Sequence, residues 1–157
     1  MKIIVLAIGD TDEKYIKEGM SIFLERLKHY VKFDFITIDL PKKAAQLPVN
    51  ERKQKEGELI LKHLESGDVL ILLDENGKEF GSRQFAEYIQ KQMLTGSKRL
   101  VLVIGGAFGF SEEVYSKANG KLSFSKMTFS HQMIRIFVLE QVYRAFTILK
   151  NEPYHND

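Results

Sequence analysis

Apolar runs with almost no polar interruption constrain this chain more than any other feature. Ile3-Ile4-Val5-Leu6 with Ile8, Val69 to Leu73 and Leu100 to Ile104 are strand-length and lack the alternation that marks a strand with one wet face. Strands of this kind are buried on both sides, which is the situation of a parallel sheet covered by helices. Phe33 to Leu40, closed by Pro41, reads as a further strand, and Leu122 to Phe124 as a short fifth.

The intervening segments change to helical spacing. Asp10-Thr11-Asp12-Glu13 supplies capping oxygens and first-turn acids ahead of an apolar stripe at Ile16, Met20, Phe23, Leu24 and Leu27. Lys42 to Asn50, with Pro41 and Pro48, reads as a loop. Asn50 is placed to cap a helix closed by Gly67, whose apolar side appears only at Leu59, Ile60 and Leu64. Its charged first turns are expected to stand in solvent or meet a partner.

Asp74-Glu75-Asn76-Gly77 is a strong turn signal that should break the third strand. Ser82 can cap a helix running to about Thr95, with Phe85, Ile89 and Met93 on one face and Gly96 beyond its end. A last helix from about Ser130 to Leu149 presents Ile134, Val138, Gln141, Val142, Ala145 and Leu149 on one face. Strands alternating with helices, without repeat or linker, predict one α/β domain over residues 1–157, with a mainly parallel sheet flanked by helices.

At 157 residues and 44% hydrophobic content the chain can bury a full core. It has no cysteine, which excludes disulfides, thiolate metal sites and a cysteine nucleophile. Its four histidines, His29, His63, His131 and His155, have no metal-ligand spacing, so no metal is expected. The longest apolar run, Leu100 to Ala107, is too short to span a bilayer. No signal-peptide pattern opens the chain, and a cytoplasmic location is expected with no membrane partner. A net charge of +2 is too light for a general nucleic-acid binder. Lys42-Lys43 and Arg52-Lys53-Lys55 read as solvated faces.

The chemistry gathers after the fourth strand. Gly105-Gly106-x-x-Gly109 is a glycine turn at the carboxyl edge of a sheet, but it lacks the spacing of a dinucleotide loop. Glu112 and Glu113 follow Ser111 and occupy the positive end of the next helix, where they would repel a phosphate. The loop therefore suits a phosphate-free ligand that needs close backbone approach, and S-adenosylmethionine, an adenosine bearing a cation, fits. Ser123, Ser125, Thr128 and Ser130 around Lys126, with Phe124, Met127 and Phe129, offer hydroxyls and apolar surface for an adenine pocket. His131 and Arg135 lie four apart at the start of the last helix, and Arg144 follows nine residues beyond Arg135. Taken singly these are ordinary helix residues. With Tyr143, Tyr154 and His155 they make a cluster suited to an anionic polymer.

Phe124-Ser125-Lys126-Met127-Thr128-Phe129-Ser130-His131-Gln132-Met133-x-Arg135, Glu140-Gln141-x-Tyr143-Arg144-Ala145 and Pro153-Tyr154-His155 together closely resemble the RlmH family. These are SPOUT-class methyltransferases that act on a pseudouridine of 23S ribosomal RNA. Leu73-Asp74-x-x-Gly77-Lys78 and Ile104-Gly105-Gly106-x-x-Gly109 match in order and spacing, and the resemblance runs the length of the chain. It departs from the family pattern at Phe108, at Ser130 and at the terminal Asn156-Asp157.

The resemblance implies a SPOUT fold with a C-terminal trefoil knot, although connection rules alone favour an unknotted sheet. It also implies a homodimer and S-adenosyl-L-methionine as methyl donor. The implied donor contacts are Leu73, Gly105, Phe124, Ser125, Lys126, Met127, Thr128 and Phe129. The implied reaction methylates N3 of pseudouridine in 23S rRNA, within the large subunit or the ribosome, and needs no covalent enzyme intermediate. His131 and His155 are the candidate bases by their titration range. Arg135 is a further candidate of the catalytic centre and, with Tyr143, Arg144, Tyr154 and His155, of RNA binding. Two rival readings remain: a tRNA-modifying SPOUT methyltransferase, and a non-catalytic α/β binding module with no affinity for the donor.

Overall fold

The computed structural model describes residues 1–156; Asp157, part of the acidic end noted above, lies outside the described residues. Five strands form one sheet: β1 (Lys2–Ile8), β2 (Lys32–Ile38), β3 (Val69–Glu79), β4 (Arg99–Ile104) and β5 (Gly120–Ser123). All pairings are parallel, in the order β2-β1-β4-β3-β5. Six helices connect or follow them: α1 (Lys14–Leu27), α2 (Lys42–Ala45), α3 (Val49–Leu61), α4 (Ser82–Leu94), α5 (Glu112–Lys117) and α6 (Met133–Leu149).

The uninterrupted apolar runs are explained by two cores, one on each side of the sheet. Ile3, Val5 and Ala7 of β1, with Leu100, Leu102 and Ile104 of β4, pack under α1, α4 and α6. Ile4, Leu6 and Ile8, with Val101 and Val103, point the other way toward Ile60 of α3 and Val114 of α5. Each fully buried aliphatic side chain contributes about 1.5–3 kcal/mol relative to exposure. Beyond their first residues, Lys2 and Arg99 at the strand ends, a polar residue at either parity of β1 or β4 would lie in a core, and none is there.

Several boundaries differ from the expectation. Asp10 to Glu13 does not cap α1; Gln132 ties this segment down, accepting from the Asp12 backbone N–H (3.1 Å) and donating to Asp10 O (2.9 Å). The loop at 42–50 holds the short α2, and α3 begins behind Pro48, so Asn50 lies inside the helix. Pro48 has no N–H to satisfy, which costs nothing at a helix start. Gly67 does not close α3, which ends at Leu61; it takes a positive φ of 87° in the turn into β3. Gly81 precedes α4, and Ser82 is its first residue. Met93 is exposed.

Asp74 to Gly77 does not break the third strand. β3 continues to Glu79, with a register shift against β5 between Leu73 and Lys78. Turn chemistry serves here as a bulge. Gly77 is required by close approach, since a Cβ there would lie 2.6 Å from the Leu122 backbone.

In α6, Val138, Val142 and Ala145 are buried as expected, and Leu139, Phe146, Thr147 and Arg135 join them. Ile134, Gln141 and Leu149 are only half-buried. The helix packs against both α1 and α4, which widens its covered face beyond one stripe.

Candidate active site

The carboxyl ends of β3, β4 and β5 open into a cavity of about 470 Å³, within the range of small-molecule sites. Leu73 and Asp74 form its floor with Ile104, Gly105 and Leu122. The glycine turn from Gly106 to Phe110 makes one wall, and Ser123 to Phe129, without Lys126, makes the other. Parallel strands place their carboxyl-end loops on one side of the sheet, and this is where such sheets bind ligands.

The glycine turn is packed from behind. A Cβ on Gly105 would approach the Phe110 ring to 3.0 Å, and one on Gly106 would lie 2.4 Å from the Glu56 carboxylate. Glu56 is buried in α3 and accepts from Arg52 Nε at 2.9 Å. The Arg52 guanidinium lies 5.3 Å from the centre of the Phe108 ring. The charged stretch of α3 is thus not a uniform solvated face, since Arg52 and Glu56 turn inward and brace the turn.

The electrostatics of the cavity are one-sided. Asp74 and Glu75 are the charged side chains lining it, with no lysine, arginine or histidine among the described lining residues. Tyr115 donates to Asp74 Oδ2 at 2.6 Å, and the Asn76 backbone N–H donates to Oδ1 at 2.8 Å. Burial works against the Asp74 charge. The Tyr115 and Asn76 hydrogen bonds, with Lys121 nearby, outweigh it and hold the carboxyl below its ordinary range. Burial, followed by the bond to Asp74, pushes the Tyr115 hydroxyl up to about 12. Ser111 caps α5 by accepting from Val114 N, with Glu112 and Glu113 in the first turn, so that helix start is satisfied internally.

Of the expected donor contacts, Leu73, Gly105, Phe124, Ser125, Met127, Thr128 and Phe129 line this one cavity. Lys126 does not; it lines an adjoining groove with Glu75, Asn76, Gly77 and Glu79. Local hydrogen bonds set the wall, with Ser123 Oγ donating to Ser125 O (2.9 Å) and Met127 N donating to Ser125 Oγ (2.9 Å). Ser130 Oγ accepts from Met133 N at 3.1 Å and caps the turn that leads into α6. His131 is exposed in that turn rather than on the helix itself.

Arg135 is a correction. It is 0% exposed, and its guanidinium donates to Ile8 O (3.0 Å), Gly9 O (2.9 Å) and Thr11 Oγ1 (2.6 Å), while Nε donates to His131 O (3.0 Å). Burial pushes its pKa down, with Asp12 and Asp10 opposing. A guanidinium so placed presents no surface to a phosphate. It ties the end of β1 to the start of α6, and its spacing from His131 gave no sign of this.

The C-terminal residues form a second cluster. Tyr143 and Tyr154 meet edge to face at 4.8 Å between ring centres, and Arg144 lies 4.8 Å from the Tyr154 ring centre. Arg144 also pairs with Glu140, and its Nη1 lies 3.2 Å from His155 Nδ1. Tyr154 donates to Glu140 Oε1 at 3.1 Å. Burial, then the Glu140 charge and hydrogen bond, raise its pKa. Sequence reasoning missed Asp74, Tyr115, Glu56 and Arg52. Asp74 carried a turn signal and stood in the Leu73-Asp74-x-x-Gly77-Lys78 motif without a role of its own, and nothing linked it to Tyr115 across 41 positions.

A parallel sheet whose carboxyl edge opens into a cavity lined by a glycine turn, apolar side chains and two carboxylates defines an α/β protein with a small-molecule site at that edge. The chain belongs to the SPOUT methyltransferase family, whose model, described as "Predicted SPOUT methyltransferase", matches residues 1–155. Similar curated proteins share the name "Ribosomal RNA large subunit methyltransferase H". That of Christiangramia forsetii is 58% identical over 156 residues, covering 99% of each chain. Those of Parabacteroides distasonis and Flavobacterium johnsoniae are each 54% identical, over 100% and 99% of both chains respectively. Among the described residues no helix is long and apolar enough to cross a membrane, and no group of residues could hold a metal ion.

Proposed function

We propose that this chain methylates large-subunit ribosomal RNA with S-adenosylmethionine as donor, at N3 of a pseudouridine in 23S rRNA, and acts on the large subunit or ribosome. The observation that carries the donor assignment is the cavity at the sheet's carboxyl edge, lined by apolar residues, close backbone and two carboxylates but no basic side chain. A phosphate-bearing cofactor would find no partner there, whereas a cationic nucleoside fits both its shape and its charge. The substrate assignment rests on the name carried by relatives that match over nearly the whole chain. The protein is read as a single domain over residues 1–157 that works in the cytoplasm as a homodimer, with the donor held inside a C-terminal trefoil knot.

The bound donor supplies an electrophilic methyl group. The chain's own residues have three tasks: to hold the donor, to place the base, and to accept the N3 proton. Gly105 and Leu73 allow close backbone approach, and Phe124, Met127 and Phe129 give apolar contact. In-line positioning of nitrogen, methyl and sulfur is a large contribution to the rate of such a reaction.

The two histidines differ in what they can do. Arg144 can only donate, so His155 Nδ1 accepts in the contact between them. His155 is thereby engaged with Arg144, and His131, exposed beside the Phe129 wall, is the base this reading favours. Tyr143, Tyr154 and Arg144 form the face toward RNA, where an aromatic can stack on an unpaired base and the guanidinium can meet a phosphate.

Calorimetric titration with S-adenosylmethionine, in parallel with a Gly105→Val variant, tests the donor assignment. Binding by the unmodified protein alone supports it, and no binding by either overturns it in favour of a non-catalytic module. Methyl transfer to ribosomal particles and not to free tRNA separates the rRNA reading from a tRNA-modifying one.

A further inference from the structure

The cavity explains how a donor is held but not how a spent donor is distinguished from a fresh one. The two differ by a single charge, since the donor is a sulfonium and the spent form is a neutral thioether. Asp74 is placed to sense that difference. It lines the cavity beside Leu73, at the start of the excursion in which β3 leaves its ladder with β5 before rejoining it at Lys78. Its oxygens accept hydrogen bonds from two neutral partners, the Tyr115 hydroxyl and Asn76 through its backbone and side chain. A carboxylate has capacity for further donors on both oxygens, and these bonds leave its negative charge uncancelled.

The surrounding charges point the same way. Glu75, the neighbouring lining acid, is exposed and adds a second negative charge. Lys121 lies over the outer Tyr115 ring, 5.5 Å from its centre, and does not line the cavity. Glu112 faces Tyr115 from α5. Charge interactions are far stronger in a partly desolvated pocket than in water. A carboxylate held rigidly there therefore favours a cation over an uncharged ligand of the same shape.

Resting on the donor reading above, we infer that Asp74, positioned by Tyr115, is the residue that selects the cationic donor over its neutral thioether product. Loss of the methyl group removes the charge that Asp74 attracts, so turnover itself weakens the hold on the spent ligand. Glu56 and Arg52 shape the same cavity from behind, but their charges are paired with each other, and they take no part in this selection.

The test is calorimetry with three probes. S-adenosylmethionine and sinefungin both carry a positive centre at the reacting position, and S-adenosylhomocysteine carries a neutral sulfur there. Asp74→Asn is expected to weaken the two cations about tenfold or more while leaving the thioether within about twofold. Retained thioether binding is then the control that the pocket is folded. An equal loss of all three, or no change in preference, overturns the inference. Tyr115→Phe is the second arm. It keeps the carboxylate but removes its main donor, so preference for the cations should fade at a higher pH than in the unmodified protein. An unaltered pH profile overturns the positioning role. Failure of the unmodified protein to bind any probe overturns the donor reading and this inference with it, whereas binding with an unmoved preference overturns this inference alone.

Discussion

The cavity at the sheet edge and the C-terminal cluster are built from opposite materials. The first is made of backbone, apolar walls and fixed carboxylates; the second stacks Tyr143, Tyr154 and Arg144 around Glu140 and His155. The contrast separates two ligands by charge. Under the proposed function, the cationic donor is drawn to one region and the anionic RNA to the other. It also accounts for the small net charge of +2, because the basic residues that matter are local and partly paired. A uniformly basic surface would draw phosphate toward the donor pocket as well.

Arg135 ties the end of β1 to the start of α6, the helix that carries most of the C-terminal cluster, and removing it should have the largest effect. Arg135→Met leaves the Ile8 and Gly9 carbonyls without their donor and is expected to cost about 3 kcal/mol of stability, read from a urea midpoint. Arg135→Lys should recover only part of this, because one ammonium cannot reproduce the fork. A surface role would instead leave the midpoint unmoved.

Gly105→Val sharpens the contrast next. Its side chain would press on Phe110, and donor affinity should fall about a hundredfold or more by calorimetry, with ribosomal-particle binding retained. Arg144→Ala should do the reverse, with donor affinity unchanged and particle affinity lowered about tenfold, the salt slope falling by about one. A loss of donor binding in Arg144→Ala would show that the regions are not separate.

The smallest effect concerns pH. The depressed Asp74 carboxyl contributes stability that is present above its unfolded value and is lost as pH falls through its folded one. The raised Tyr115 hydroxyl contributes stability below its ordinary value, which is lost as pH rises toward about 12. Tyr115→Phe should therefore lower the stability plateau and flatten both its acid and alkaline limbs in thermal melts across pH, because it removes the titrating phenol and lets the Asp74 carboxyl return toward its ordinary range. An unchanged plateau would show that the Asp74–Tyr115 bond carries no linkage.

Much of the frame was legible because burial on both faces of a sheet leaves a direct mark on sequence. The runs at Ile3–Ile8, Val69–Leu73 and Leu100–Ile104 each became a strand, and the stripe from Ile16 to Leu27 became α1. Caps and ends were less legible. Asp10 to Glu13 carries a helix-start pattern, yet a long-range partner, Gln132, takes those backbone groups. Asp74 to Gly77 carries a turn pattern that β5 converts into a bulge. In both cases a tertiary hydrogen bond overrode a local preference of similar size.

What the sequence by itself determined is the layered α/β architecture, the glycine turn after β4 and the hydroxyl-rich segment from Ser123 to Ser130, since each depends on neighbours within a few residues. Only the tertiary structure decided which charges are free to act. It buried Arg135 beneath backbone carbonyls, turned Arg52 and Glu56 inward behind Gly106, and brought Tyr115 to Asp74. The reason is physical. The energy of a charge depends on what surrounds it in space, and residues far apart in the chain supply those surroundings.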